Sequence, residues 1–211
     1  AHPDLIVREG PNLFCGRLAS GTLQPLLLLE SLPARFDYAV AQLTGAGFTH
    51  VLAWSTSESR WLDFIVDVAT VGVGLKAAVD RIEPSISGEE PPSWVRVITA
   101  SPRDFLLIGF ARSGSVAVYE MNDAHQLVHL QTIAAPEEAL SSFTGAAAWG
   151  NGQFMLFQGR DGISESFRPY KKDGSSWTAG TLRSLPPVKT GALGANVLEF
   201  DAEPMVVPAA R

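Results

Sequence analysis

The sequence predicts an all-β fold, and among all-β folds it favours a β-propeller. Three observations support this prediction. A hairpin with an apolar second strand recurs five times, the recurrence interval is about fifty residues, and no long stretch shows a helical period. A four-stranded unit that repeats at about this interval is typical of a propeller blade.

The clearest hairpin lies in TGAAAWGNGQFMLFQGRDG, residues 144–162, where Asn151-Gly152 separates two apolar segments. Asn and Gly tolerate the positive φ that tight hairpin turns need. Four other stretches share a short strand, a break and an almost wholly apolar second strand: residues 5–21, 38–57, 94–114 and 195–211. When Phe14, Leu52, Leu107, Met155 and Val206 are taken as equivalent, the intervals are 38, 55, 48 and 51 residues.

Two outer strands are predicted after each of the three central hairpins. The pairs are Arg60 to Val66 with Leu75 to Ile82, Ser115 to Met121 with Leu127 to Ile133, and Ile163 to Phe167 with Trp177 to Leu182. Polar residues occur in these segments, as expected of strands that have solvent on one side. One candidate, Leu23 to Leu29, follows the first hairpin and none follows the fifth.

We therefore expect residues 1–211 to form a single β-propeller domain or a propeller fragment. A β-sandwich is the alternative, since it also consists of many short strands joined by turns. The predicted strands fall short of five complete blades, which indicates an incomplete ring. We expect the N-terminal strands or a second chain to close it, because an open apolar edge promotes association.

Composition narrows the function classes. Hydrophobic residues make up 46% of the chain and charged residues 18%, which predicts a folded domain with a sizeable core. The net charge is −6 and the 16 basic residues form no cluster, so nucleic acid is not an expected partner. No apolar run is long enough for a membrane span. Ala1-His2-Pro3 does not resemble a signal peptide, so we expect any such segment to have been removed.

Residues 105–133, which belong to the third predicted blade, carry a family pattern in FLLIGF and SGSVAVYEMNDAHQLVHLQTI. An apolar strand is followed by Ser, an aliphatic residue and Tyr, and then by Gln-x-Ile. The matching residues are Ser115, Val116, Val118, Tyr119, Gln131 and Ile133, with Ser164 and Phe167 as echoes in the next copy. The pattern resembles the EAR (epitempin, or EPTP) repeat of the leucine-rich glioma-inactivated proteins.

This resemblance covers mainly residues 105–160, and Met121 stands where the repeat prefers Trp. It implies a secreted, non-enzymatic propeller that binds another extracellular protein, as in cell adhesion or receptor–ligand recognition. Integrin-like and lectin propellers have a similar strand pattern.

The titratable residues predict no catalytic or metal site. His125 and His129 would lie roughly 13 Å apart on a strand, too far to share a metal ion. His50 is interpreted as a strand-end residue, and Asp63 with Asp67 as a solvated face of an outer strand. No motif of a hydrolase nucleophile, a phosphate loop or a zinc protease occurs. We therefore predict no cofactor.

Cys15 is the only cysteine, so it forms no disulfide within the chain. Its apolar neighbours favour a buried thiol. A bridge to a second chain is the alternative.

The five tryptophans are distributed at roughly one per predicted blade. Trp54 and Trp149 belong to inner hairpins and are predicted to be core residues. Trp61 follows Arg60, and Trp177 follows a Gly-Ser-Ser turn, so both are expected to be partly exposed. Exposed Trp and Arg are common anchors of binding surfaces.

The sequence therefore predicts a binding module that recognises a protein partner through its loops. The candidate ligand-binding residues are Arg60, Trp61, Arg160, Asp161 and Trp177. The alternative is a lectin-like propeller that binds a glycan through Trp together with Arg or Asp between blades.

Overall fold

The computed structural model describes much of the chain at the level of its strands and turns. The described residues are 5–9, 12–16, 18–19, 22–23, 27–28, 40–45, 48–71, 74–82, 86, 90–99, 104–122, 126–137, 141–150, 152–160, 163–186, 196–198 and 205–207. All regular structure in these ranges is β-strand, which confirms the all-β prediction. No helix in the described part of the chain could cross a membrane.

The chain divides into two compact units. The first consists of Ala1–Pro92 with Met121–Leu127, and the second of Ser93–Glu120 with Val128–Arg211.

The first unit contains the first and second sheets. In the first sheet, β1 (Leu5–Glu9) pairs antiparallel with β2 (Asn12–Gly16), and β5 (Leu27–Leu28) pairs with β2. Two short strands, β3 (Leu18–Ala19) and β4 (Thr22–Leu23), pair with each other. Of the strand predicted from Leu23 to Leu29, the described residues are Leu23 in β4 and Leu27 and Leu28 in β5. Cys15 pairs with Ile6 and Leu27 in the backbone register, and its side chain lies outside the described part.

The second sheet has the order β6-β7-β8-β9, which follows the sequence. Its strands are β6 (Val40–Gly45), β7 (Phe48–Ser55), β8 (Arg60–Val71) and β9 (Gly74–Ile82). Residues 74–82, which have only weak alternation, form a strand as predicted. They pair with residues 63–71 of β8. Strand β8 therefore extends past its predicted end at Val66.

The third sheet lies in the second unit, apart from Pro92, Met121 and Leu127. Its order is again sequential, with β10 (Pro92–Ile98), β11 (Phe105–Phe110), β12 (Val116–Met121) and β13 (Leu127–Ile133).

The fourth sheet has the same sequential order with one change at its last strand. Its strands are β14 (Ser142–Ala148), β15 (Phe154–Arg160), β16 (Ile163–Asp173), β17 (Ser176–Ala179) and β18 (Arg183–Ser184). Both β17 and β18 pair with β16. The strand predicted from Trp177 to Leu182 corresponds to β17, which ends at Ala179 instead of Leu182. The break follows Ala179, where the Gly180 N–H donates to the Pro169 carbonyl at 2.8 Å. A further hairpin consists of β19 (Asn196–Leu198) and β20 (Met205–Val207).

The core of the second unit lies between the third and fourth sheets. Strands β11 and β15 are buried over nearly their whole length, as predicted for second strands with both faces covered. Side chains alternate between faces along a strand, and one face of each sheet supplies this core. It includes Phe105, Leu107, Val116 and Val118 of the third sheet, and Ala146, Phe154, Leu156, Tyr170 and Trp177 of the fourth.

Trp94 on β10 connects the two sheets at their first strands. Its indole N–H donates to the Phe143 carbonyl on β14 at 2.8 Å. Its ring occupies the space where a side chain on Gly109 would stand, because a Cβ at that position would overlap the indole. Gly109 is therefore required for the position of Trp94, and Trp94 in turn holds β14.

We expect Gly109→Ala to lower the free energy of unfolding by about 1–3 kcal/mol, because the added methyl group displaces the Trp94 indole. Urea denaturation followed by circular dichroism measures the change. Gly145→Ala is the matched control, since no atom lies within 4 Å of a Cβ there. The control should change stability by less than about 1 kcal/mol. Equal effects of the two substitutions would contradict the role of Gly109.

Candidate functional site

One end of the fourth sheet presents an exposed apolar side chain between two charges. Ile163, the first residue of β16, is 62% exposed. Arg160 ends β15, and its Nε lies 3.9 Å from Oε2 of Glu165. Both charged side chains are more than half exposed. Asp161, predicted to act with Arg160, lies outside the described residues.

A β-bulge between β15 and β16 changes the direction of the side chains at this end of the sheet. The pairing of β15 with β16 shifts between Gln158 and Gly159, so that Glu165 has no partner in the register. A Cβ on Gly159 would collide with the Ile163 carbonyl oxygen. The Glu165 carbonyl instead accepts a hydrogen bond from the Leu185 N–H at 2.8 Å. Bulges of this kind reorient side chains and occur often beside functional sites.

Arg60, the first residue of β8, is exposed and pairs with Glu58 in the preceding turn. The Arg60 Nε donates to Glu58 Oε2 at 2.6 Å. Both side chains are well exposed, so the ion pair contributes little to stability.

The predicted exposure of Trp61 is wrong. Trp61 is 1% exposed and makes an edge-to-face contact with Trp54, with centroids 5.4 Å apart. Trp54 is 2% exposed, which confirms it as a core residue. The two are opposite each other in the register of β7 and β8, and truncating Trp61 would cost about 3–5 kcal/mol of stability.

Trp177 is also buried, contrary to the prediction, with 3% exposure. Phe105 packs edge-to-face on its ring, and Lys172 Nζ lies 5.4 Å from the ring centroid. The indole N–H donates to the Gly152 carbonyl at 3.0 Å. Trp177 thus supports the packing of the sheets and offers no free ring face for a ligand.

Gln131 on β13 binds the backbone of Trp177 as a neighbouring strand would. Its Oε1 accepts from the Trp177 N–H at 2.8 Å, and its Nε2 donates to the Trp177 carbonyl at 3.2 Å. The side chain therefore joins the last strand of the third sheet to the outer part of the fourth.

Trp149, predicted to be buried, is 38% exposed. Strand β14 ends at Ala148, and the Trp149 N–H donates to the Gln153 carbonyl within the following turn. The ring stacks on Phe167 with centroids 6.1 Å apart. Residues 146–149 (AAAW) are all apolar, so the sequence gives no local sign that the strand ends at Ala148.

A cavity of about 430 Å³ opens beside the third and fourth sheets, within the second unit. Its buried base includes Phe143, Gln158 and Tyr170, and its exposed rim includes Glu137 and Ala179. Arg168 also lines it, and the Arg168 Nε is buried without a hydrogen-bond partner. None of these polar residues was predicted from sequence. Arg168 and Tyr170 are single polar residues on the mixed outer strand β16 and resemble a solvated face, and Gln158 is a single polar residue in the mostly apolar strand β15.

The polar residues of this cavity share one face of the fourth sheet. Leu156 pairs with Arg168, Phe154 with Tyr170 and Gln158 with Ser166. Burial raises the pKa of the Tyr170 hydroxyl above its ordinary value of 10.0, and the Arg168 charge partly lowers it. The guanidinium thus acts electrostatically on a phenol in the same cavity.

A buried polar pair lies in the second sheet. Nδ1 of His50 is 3.1 Å from Oδ1 of Asp63, and both side chains are fully buried. The predictions of a strand-end His50 and a solvated Asp63 are therefore wrong. His50 lies inside β7, diagonally across from Asp63, because Leu52 is the residue opposite Asp63. A pair with no solvent contact cannot reach a substrate in this conformation.

Of the remaining titratable candidates, only His129 has a described side chain. His129 is exposed and hydrogen-bonds Thr132 Oγ1 at 2.9 Å, while His125 and the side chain of Asp67 lie outside the described part. Among the described side chains, no group of three or more His, Cys, Asp or Glu could hold a metal ion.

No protein-family model matches the chain, and a search of curated proteins gives no match. Among solved structures, the chain is similar to a "putative 6-phosphogluconolactonase" from Bacteroides uniformis. The identity is 15% and the TM-score 0.45, over 93% of this chain and 60% of that protein. The chain thus spans about three fifths of the length of that protein.

Gln131→Ala should lower the free energy of unfolding by about 1–3 kcal/mol, because both backbone groups of Trp177 lose their partner. Chemical denaturation measures this loss. Gln126→Ala is the control, since Gln126 is an exposed residue that bonds the exposed Asn122. We expect the control to lie within about 0.5 kcal/mol of the parent protein. A neutral Gln131 variant would mean that the two hydrogen bonds contribute nothing net.

Replacing Arg168 by Gln should raise the pKa of Tyr170 further, because the neighbouring positive charge favours the tyrosinate. Since the folded-state pKa is already raised, the contribution of Tyr170 to stability is present below pH 10.0 and is lost as pH rises through the folded-state value.

Ultraviolet absorbance of tyrosinate during an alkaline titration measures this pKa, and Tyr170→Phe identifies the signal. Arg183→Gln removes an exposed charge outside the cavity and should leave the Tyr170 titration unchanged. The same titration curve for the Arg168 variant and the parent protein would refute the interaction.

Proposed function

We propose that the chain is a non-enzymatic, β-propeller-type binding module that recognises a protein partner. The propeller architecture is supported by three sheets with the same sequential order of strands. It is also supported by the shared core of the third and fourth sheets, since blades of a propeller pack face to face.

The partner surface we propose is the end of the fourth sheet that carries Arg160, Ile163 and Glu165. The observation that carries the proposal is the 62% exposure of Ile163, which keeps an apolar side chain in water. Burying it against a partner would contribute about 1.5–3 kcal/mol. Arg160 and Glu165 at the rim would orient the partner through charge complementarity.

Binding without turnover is proposed because of where the described acid and base groups lie. The buried His50–Asp63 pair has no solvent contact. The Arg160 and Glu165 side chains are both more than half exposed, which suits the rim of a protein-binding surface.

A glycan ligand is the second candidate, and Trp149 is the observation that favours it. The ring is 38% exposed and is backed by Phe167, so a sugar could stack on its free face. A glycan array with the parent protein and Trp149→Ala tests this alternative.

Ile163→Asp and Arg160→Ala should each weaken capture of the protein partner while leaving the unfolding transition unchanged. A charge at an apolar anchor typically costs several kcal/mol of binding, and loss of a rim charge about 1 kcal/mol or less. Immobilised parent and variant chains are compared by quantitative mass spectrometry of captured proteins, followed by direct measurement of the affinity of each candidate.

Val128→Asp is the matched control, because Val128 is 43% exposed on β13, outside the proposed surface. A partner that is lost equally from the Val128 and Ile163 variants would not use the proposed surface. Saturable hydrolysis of a substrate by the purified chain would overturn the non-enzymatic assignment.

A further inference from the structure

The cavity beside the third and fourth sheets is lined by an arginine that makes an incomplete set of hydrogen bonds. The Arg168 Nε is buried and has no hydrogen-bond partner. Because Arg168 lines the cavity, its positive charge would attract an oxyanion bound there. Arginine is well suited to this role because its planar guanidinium presents parallel N–H groups to a carboxylate or a phosphate.

The charges around the cavity favour a single negative charge on the ligand. Arg168 is the only cationic side chain among the described lining residues, and Glu137 lies on the exposed rim. A dianion such as phosphate would face one positive charge with a carboxylate nearby, which is unfavourable. The single negative charge of a monocarboxylate would balance the positive charge of Arg168.

The other polar groups indicate what the rest of the ligand carries. Gln158 is 5% exposed and Tyr170 is 5% exposed, and both line the cavity. An amide and a phenol can each donate and accept a hydrogen bond, which suits hydroxyl groups on a ligand. The volume of about 430 Å³ lies within the range of small-molecule sites.

We propose that this cavity binds a hydroxylated monocarboxylate of monosaccharide size, such as a sugar acid. Arg168 binds the carboxylate, and Gln158 and Tyr170 hydrogen-bond the hydroxyl groups. The site is separate from the surface around Ile163, and neither depends on the other.

Glucuronate and galacturonate are titrated into the purified full chain by calorimetry, with glucose and inorganic phosphate as comparison ligands. We expect saturable binding of at least one sugar acid, and weaker binding of glucose and phosphate by roughly tenfold or more. Arg168→Gln should lower the affinity for the sugar acid by roughly ten- to a hundredfold. Arg183→Gln, which removes an exposed charge outside the cavity, should stay within about twofold of the parent protein.

A second variant covers the case in which Arg168→Gln fails to fold. Ala179 is an exposed rim residue, so Ala179→Phe should narrow the cavity and abolish binding without removing a charge. The proposal is overturned if neither sugar acid binds or if glucose or phosphate binds as tightly. It is also overturned if Arg183→Gln loses as much affinity as Arg168→Gln, or if folded Ala179→Phe binds normally.

Discussion

The second unit depends on the apolar contact between the facing sides of the third and fourth sheets. Strands β11 and β15 have apolar side chains on both faces, so each sheet must be covered on two sides to keep these side chains from water. Phe105 and Leu107 meet Phe154, Leu156 and Trp177 in one cluster. Backbone hydrogen bonds act within each sheet, and this burial, together with a few side-chain bonds, holds one sheet against the other.

Polar contacts at the two borders of that interface limit how the sheets can slide. Trp94 bonds the Phe143 carbonyl on the first strand of the fourth sheet, and Gln131 bonds both backbone groups of Trp177 on an outer strand. Hydrogen bonds are directional, whereas the hydrophobic effect is not, so these contacts set the alignment of the sheets. The cavity lies where the apolar face gives way to Gln158 and Arg168. A cavity at this border therefore follows from the same pattern that builds the core.

Most of the strand pattern could be predicted, because hydrophobic alternation and turn residues are local properties of the chain. All five hairpins are present, and the outer strands of the second and third sheets begin within one residue of their predicted starts. Side-chain exposure was predicted less well. Trp61 and Trp177 are buried and Trp149 is exposed, the reverse of each prediction. Asp63 is buried beside His50, a contact made across two strands.

The sequence by itself determined the all-β class, the positions of the hairpins and the buried second strands, because each depends on residues that are neighbours along the chain. Tertiary structure alone decided which outer-strand residues are covered, since that depends on a face supplied by another sheet. The Gln131–Trp177 contact joins residues 46 positions apart. Likewise, Arg168 lies in a cavity with Gln131 and Glu137, and Ile163 is exposed by a bulge that Gly159 permits. No local pattern specifies such contacts, because they form only when distant segments pack together.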